Sequence, residues 1–178
     1  TVTQAGSVTV AGDGANGIFA QSAGGRSTGG RVSVALNSGS ILATGAGSNG
    51  IFAQSIGGGG SGDVSVTIAS AASLVVGGSN GGSAVRFAHG NRNTLTNYGT
   101  LTTVGGISGL AVVGGTGNET VDNHGTITGS VNLGGGVNTL TNRAEGLLNA
   151  GSSIDVGAGG EFANAGTLSL GGLGRAQT

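Results

Sequence analysis

The sequence predicts an all-β chain wound as a parallel β-helix (a β-solenoid) of about six to seven turns, with three short strands in each. Three observations predict it. The string Gly6-Ser-Val-Thr-Val-Ala…Asn16-Gly-Ile-Phe-Ala-Gln-Ser22 returns 33 residues later as Gly39-Ser-Ile-Leu-Ala-Thr…Asn49-Gly-Ile-Phe-Ala-Gln-Ser55. A bend motif, Asn-x-Gly-Thr/Ser-aliphatic, punctuates the whole chain. The apolar stretches between bends are short and alternate with period two, as in Val131-Asn-Leu133 and Ile154-Asp-Val156. Such alternation belongs to strands, and this much Gly without a 3.6-residue pattern argues against helix.

The chain reads as one solenoid segment over 1–178, with long turns over 6–72 and shorter ones over 73–178. In the long turns, strands around Val8, Ile18–Ala20, Val32–Leu36, Ile41, Ile51–Ala53 and Val64–Ile68 surround two Gly-rich loops, Gly24–Gly30 and Gly57–Gly62. Insertions of this kind cost a solenoid little. Alternation and the Asn-based frame differ by one residue in Val32–Leu36 and Val64–Ile68, which leaves the register there open.

In the shorter turns the bend motif is clear: Asn97-Tyr-Gly-Thr-Leu101, Asn123-His-Gly-Thr-Ile127 and Asn164-Ala-Gly-Thr-Leu168. Asn142-Arg-Ala-Glu-Gly-Leu147 carries one extra residue, Asn37-Ser-Gly-Ser-Ile41 fits, and Gln4-Ala-Gly-Ser-Val8 and Ser70-Ala-Ala-Ser-Leu74 are degenerate copies. The closing aliphatics Val8, Ile41, Leu74, Leu101, Ile127, Leu147 and Leu168 are spaced 33, 33, 27, 26, 20 and 21 residues apart by their numbers. Asn tolerates left-handed backbone and its amide bonds backbone groups; the following Gly supplies a positive φ. At one repeated corner, the amides of Asn37, Asn97, Asn123, Asn142 and Asn164 are expected to stack as a hydrogen-bonded ladder.

Composition narrows the chemistry. Gly supplies 43 of 178 residues, charged residues are 7%, and Pro, Cys, Met and Trp are absent. Without a period this would suggest disorder, but with net charge −1 and 36% hydrophobic residues the chain must fold or aggregate. No Cys means no disulfide, Cys-ligated metal or thiol nucleophile. No basic cluster exists for nucleic acid. No apolar run reaches membrane-helix length and no signal-peptide pattern is present. The first residue is not Met, so an excerpt of a longer protein is expected.

Candidate catalytic groups are few. Gly82-Ser-Ala with Arg86 and His89 is too local for a triad; Arg86 and His89 read as the polar side of a strand with Val85 and Phe87 inward. His124, near Glu119 and Asp122, reads as a solvated bend. A glycan-acting enzyme would need clustered carboxylates, and Asp122, Glu145 and Asp155 are the first suspects. Gly114-Gly-Thr-Gly-Asn-Glu-Thr-Val-Asp122 nearly matches a calcium-binding nonapeptide, with Glu119 at the ligand position, but stands alone. Gly57–Gly62 lacks the Lys-Ser/Thr ending and the helix of a phosphate loop, and reads as flexible. The pairs Thr94/Thr96, Thr126/Thr128 and Thr139/Thr141 resemble ice-binding arrays but are expected on different strands of unequal turns. Phe19 and Phe52 form either an outward contact stripe, with Gln21 and Gln54 beside them, or pack under the Gly-rich loops; packing is the favoured reading. No catalytic residue, cofactor or metal is expected.

The strings at 49–64 (NGIFAQSIGGGGSGDV), 93–102 (NTLTNYGTLT), 129–142 (GSVNLGGGVNTLTN) and 166–178 (GTLSLGGLGRAQT) resemble the passenger domains of large Gram-negative autotransporters. The resemblance covers essentially the whole chain, and 166–178 is similar to the stretch shortly before the translocator barrel. It implies a right-handed parallel β-helix exported through a C-terminal outer-membrane β-barrel and displayed at the cell surface or secreted. It also implies partners such as a host-cell or matrix surface, or other copies of the chain. Adhesion, aggregation or structural display is the expected task. The alternatives are a glycan-binding or glycan-cleaving β-helix and a self-assembling fibre subunit. Low charge and absent Cys suit a chain that crosses membranes unfolded.

Overall fold

The computed structural model describes residues 1–171; the last seven residues of the 166–178 string fall outside them. Strands dominate, and every strand pairing is parallel. Among the described residues the helical structure is one 3-10 turn, η1 (Gly106–Ser108).

Seven strands make one sheet in the order β1 (Val2–Ala5), β4 (Val32–Ser38), β7 (Val64–Ile68), β10 (Arg92–Asn97), β13 (Asn118–Asn123), β15 (Thr139–Asn142) and β17 (Glu161–Asn164). We call this the first sheet. The second follows the path β2 (Val8–Val10), β5 (Ser40–Ala43), β8 (Leu74–Gly77), β11 (Thr100–Thr103), β14 (Thr126–Asn132), β12 (Leu110–Val113), β9 (Ser83–His89), β6 (Asn49–Ile56) and β3 (Asn16–Ala23). Strand β16 (Leu147–Asp155) pairs with β14 and with β18 (Thr167–Leu170). Partners are never consecutive in sequence, so the parallel sheets form a solenoid-like arrangement.

Alternation aligns apolar residues of successive strands in continuous columns. In the first sheet the column is Val2, Val34, Val66, Leu95, Val121, Leu140 and Phe162. In the second, Val8, Ile41, Val75, Leu101, Ile127, Leu148 and Leu168 align on one side. On its other side Ile18, Ile51, Val85, Val112, Val131 and Ile154 do so. Stacking like on like along a spacing of about 4.8 Å buries the side chains inside each column, while the end members Val2, Val8, Ile154 and Leu168 are half-buried and Phe162 is exposed.

Two markers in the expected period shift by one residue. The third buried aliphatic is Val75, with Leu74 half-buried, and the sixth is Leu148 rather than Leu147. Both follow bends longer than the basic motif, Ala69–Ser73 and Arg143–Gly146. The open register in β4 and β7 resolves toward alternation: Val32, Val34, Leu36, Val64, Val66 and Ile68 are all buried.

The bend glycines divide: Gly6 and Gly39 have the expected positive φ, at +101° and +87°, and those of the clear Asn copies do not. Gly99, Gly125 and Gly166 are not among the positive-φ residues, and neither is any ladder Asn. A Cβ on Gly125 would run into the backbone of Tyr98 and Gly99, and one on Gly166 into the Arg143 and Gly146 carbonyls. Close approach of stacked bends, not a left-handed backbone, selects Gly there. The two Gly-rich loops bond to each other: Gly58 N–H donates to Gly25 O at 2.7 Å and Thr28 Oγ1 to Gly59 O at 3.2 Å.

Candidate functional site

The corner after the first sheet gathers the chain's polar chemistry. On its inner side, Asn97 Nδ2 donates to Asn123 Oδ1 at 2.8 Å, Asn123 Nδ2 to Asn142 Oδ1 at 2.8 Å, and Asn142 Nδ2 to Asn164 Oδ1 at 2.7 Å. Each Nδ2 also reaches the bend carbonyl of its own motif, at Gly99, Gly125, Gly146 and Gly166. Asn97, Asn123 and Asn142 are fully buried. The first carbonyl of the series, Asn97 Oδ1, accepts from Gly99 N–H at 3.1 Å.

Asn37 does not belong to this ladder. It is exposed, and Leu36 takes the corner position in register with Ile68, which in turn is in register with Asn97. Alternation in Val32–Leu36 overrides the motif and turns Asn37 outward.

Two further polar stacks escaped the sequence reading. Asn49 Nδ2 donates to Asn16 Oδ1 at 2.9 Å, and Ser83 Oγ to Asn49 Oδ1 at 2.8 Å. Their signal was present in the 33-residue repeat, which matches Asn16 with Asn49. The other stack is Asn93, Glu119 and Asn138. Asn93 Nδ2 donates to Glu119 Oε1 at 2.7 Å, Gly115 N–H to the same oxygen at 2.9 Å, and Glu119 N–H to Asn138 Oδ1 at 2.8 Å. Glu119 is fully buried, and burial pushes its carboxyl above the usual range. It lies in the interior, not beside His124 and not on a calcium loop open to solvent.

On the outer side of the Asn corner, Tyr98, His124 and Arg143 each directly follow a ladder Asn. Tyr98 and His124 stack at 4.5 Å between ring centroids. His124 Nδ1 meets Glu145 Oε1 at 2.5 Å and its Nε2 meets Asp122 Oδ2 at 3.3 Å. Arg143 holds both Asp122 oxygens, through Nε and at 3.2 Å through a terminal nitrogen. His124 is therefore clamped rather than merely solvated. The hydrogen bond from Arg143 holds the Asp122 carboxyl below its ordinary range, and the bond from His124 does the same for Glu145. The bond to Glu145, aided by Asp122, raises His124.

Of the three suspect carboxylates, Asp122 and Glu145 thus share one imidazole. Asp155 stands in the second sheet, where it caps Gly157 N–H at 2.8 Å. Neither Asp122 nor Glu145 is held protonated, as a general acid requires. Among the described residues no group of three or more His, Cys, Asp or Glu side chains could hold a metal.

Phe19 and Phe52 face outward in register, their rings 5.4 Å apart and tilted by 42°. Phe19 is 53% exposed, so it does not pack under a loop. The next residue in the column is Arg86, which turns back to Asn49 Oδ1 at 3.1 Å and Gly81 O at 2.8 Å and ends the stripe after two rungs. Val85 and Phe87 are buried on either side of Arg86. The pairs Thr94/Thr96 and Thr139/Thr141 lie in one sheet, with Thr94, Thr120 and Thr139 in one column, whereas Thr126/Thr128 belongs to the other sheet. No family model, curated protein or solved structure matches the chain.

Proposed function

We propose that the chain is a right-handed parallel β-helix of about six to seven turns, three strands each, serving as a non-enzymatic passenger segment of an autotransporter. It is displayed at the cell surface, where it carries binding surface outward and gives the passenger a stack on which to fold. Its partners are a host-cell or matrix surface or further copies of itself, and a translocator barrel in the full-length chain. The observation that carries this reading is the use of the polar residues. Amides and buried carboxylate are spent in ladders that tie one strand level to the next. The outer carboxylates are spent in ion pairs. That is an arrangement for stiffness and display rather than turnover.

A glycan-cleaving reading has the Asp122–His124–Glu145 group in its favour and the lowered carboxyl pKa values against it. The test is to place an epitope within 57–62 of the full-length protein and label intact Gram-negative cells. Labelling without lysis is expected; labelling only after lysis overturns surface display.

A further inference from the structure

The outer face of the first sheet has an organisation that scaffold duty does not require. Along β10 the buried residues Asn93, Leu95 and Asn97 alternate with Arg92, Thr94 and Thr96, which point outward, and exposed Tyr98 stands in the bend just past the end of this row. Four residue steps at about 3.3 Å make the row from Arg92 to Thr96 about 13 Å long. The neighbouring strands continue its hydroxyl lining: Thr94 lies in register with Ser65 on β7 and Thr120 on β13. A strand in mid-sheet has no free backbone edge, so an extended peptide cannot be added here by strand pairing.

The two ends of the row differ in chemistry. At one end a hollow of about 290 Å³ is lined by Arg31, Asp63, Val64, Ser65, Arg92 and Thr94. Arg31 approaches Asp63 at 3.9 Å. Arg92 is exposed, and its guanidinium has no ion pair or hydrogen bond among the described residues. At the other end Tyr98 is 44% exposed, with His124 stacked on it. The charges beside that ring are already matched, since Asp122 and Glu145 are held by Arg143 and His124.

We propose that this face binds an extended acidic oligosaccharide, with a pyranose ring against Tyr98 and a uronate carboxylate at Arg92. The proposal deepens the surface-display reading by naming the class of partner and rests on it for its setting. Hydroxyls of Ser and Thr both donate and accept, which matches sugar hydroxyls. An aromatic ring offers an apolar face to the C–H side of a sugar. A guanidinium fork receives a carboxylate with two parallel bonds, and Arg92 is free to do so. A phosphate-rich polymer would need the basic cluster that this face lacks.

The chain has one Tyr and no Trp, so its intrinsic emission reports Tyr98 alone. The test titrates the purified chain with a mannuronate tetrasaccharide and, separately, with neutral cellotetraose. The uronate is expected to change Tyr98 emission. By calorimetry, Tyr98→Ala should bind it about tenfold more weakly and Arg92→Gln about fivefold more weakly, with the salt dependence reduced in the latter. Cellotetraose should bind the unaltered chain about as weakly as the uronate binds Arg92→Gln. Both side chains are exposed, and a cooperative unfolding transition verifies that the variants fold, with a slightly lower midpoint for Tyr98→Ala from the lost stacking on His124. No emission change at millimolar uronate, or binding unaffected by Tyr98→Ala, overturns the site; equal binding of cellotetraose overturns the carboxylate contact. Because the purified chain needs no export, failure here is separate from failure of the surface-labelling test.

Discussion

The same corner of the fold is built in two ways. In the N-terminal part its interior position is filled by Leu36 and Ile68, and in the C-terminal part by Asn97, Asn123, Asn142 and Asn164. The bends after Ile68 and Asn97 show the contrast most clearly, although Leu36 is followed by only three residues before β5 and Asn142 by four before β16. After Ile68 the chain needs Ala69–Ser73 to reach β8, and this segment satisfies itself through Ser73 N–H to Ser70 O at 2.9 Å and Ala72 N–H to Ser70 Oγ at 3.2 Å. After Asn97, Tyr98 and Gly99 suffice, because the amide reaches the bend carbonyl and the next amide at once. A buried aliphatic contributes transfer free energy but leaves the bend to find its own partners; a buried amide forgoes that contribution and allows a two-residue corner. The outward residues of the tight corners then stack close enough for Tyr98 to lie on His124.

The sharpest way to break this comparison is to swap the two solutions. Asn123→Leu places the aliphatic answer in an amide corner. It removes the acceptor of Asn97 Nδ2 and the donor to Asn142 Oδ1, and leaves the Gly125 carbonyl without its amide. Orphaned buried polar groups should make the loss about 3 kcal/mol by urea unfolding. Asn164→Leu, at the exposed end of the ladder, should cost under about 1 kcal/mol. Equal losses at the two positions would mean that burial of the ladder is not what matters.

The glycines separate the two roles of a bend residue. Gly125→Ala drives a methyl into the backbone of Tyr98–Gly99 and should cost about 2 kcal/mol. Gly14, with φ +66° and open space around it, should lose only about 1 kcal/mol on the same change, from backbone strain alone. A third pair sharpens the boundary between the regions. Ile68→Asn puts an amide in register with Asn97, whose Oδ1 can accept it, whereas Leu36→Asn has Gln4 and Ile68 as its register neighbours. Both lose apolar burial, but Ile68→Asn gains a bond to fully buried Asn97 whereas Leu36→Asn can reach only the half-buried Gln4 amide, so Leu36→Asn should be worse by up to about 1 kcal/mol.

How much of this was legible follows from the same physics. The solenoid-like strand repeat and the stacked Asn97, Asn123, Asn142 and Asn164 could be read because like residues recur where strands align. Asn37 could not be placed by motif alone, since the Val32–Leu36 alternation carries three buried side chains and dominates one amide. The shift from Leu74 to Val75 was invisible because a bend can absorb an extra residue without changing composition. The clamp on His124 arises from residues 21 positions apart, Asp122 to Arg143 and His124 to Glu145. It depends on where the lengthened Asn142 motif places exposed Ala144 and Glu145; the motif announces an extra residue but not its contact with His124.

The smallest expected effect tests the outer side of the amide corner, which has no counterpart at Leu36 and Ile68. His124 is raised above its ordinary 6.5, so its contribution is complete below 6.5 and is lost as pH rises through the higher folded value. Asp122 and Glu145 are lowered from 3.8 and 4.5, so theirs is complete above those values and is lost as pH falls through the lower folded ones. The cluster therefore stabilises most between about pH 4.5 and 6.5. His124→Gln should lower the unfolding midpoint within that window, and the difference from the unaltered chain should shrink above it. Because Glu145 and Arg143 are exposed, added salt should shrink the difference as well. A midpoint difference that stays constant with both pH and salt would show that His124 acts there only by stacking on Tyr98.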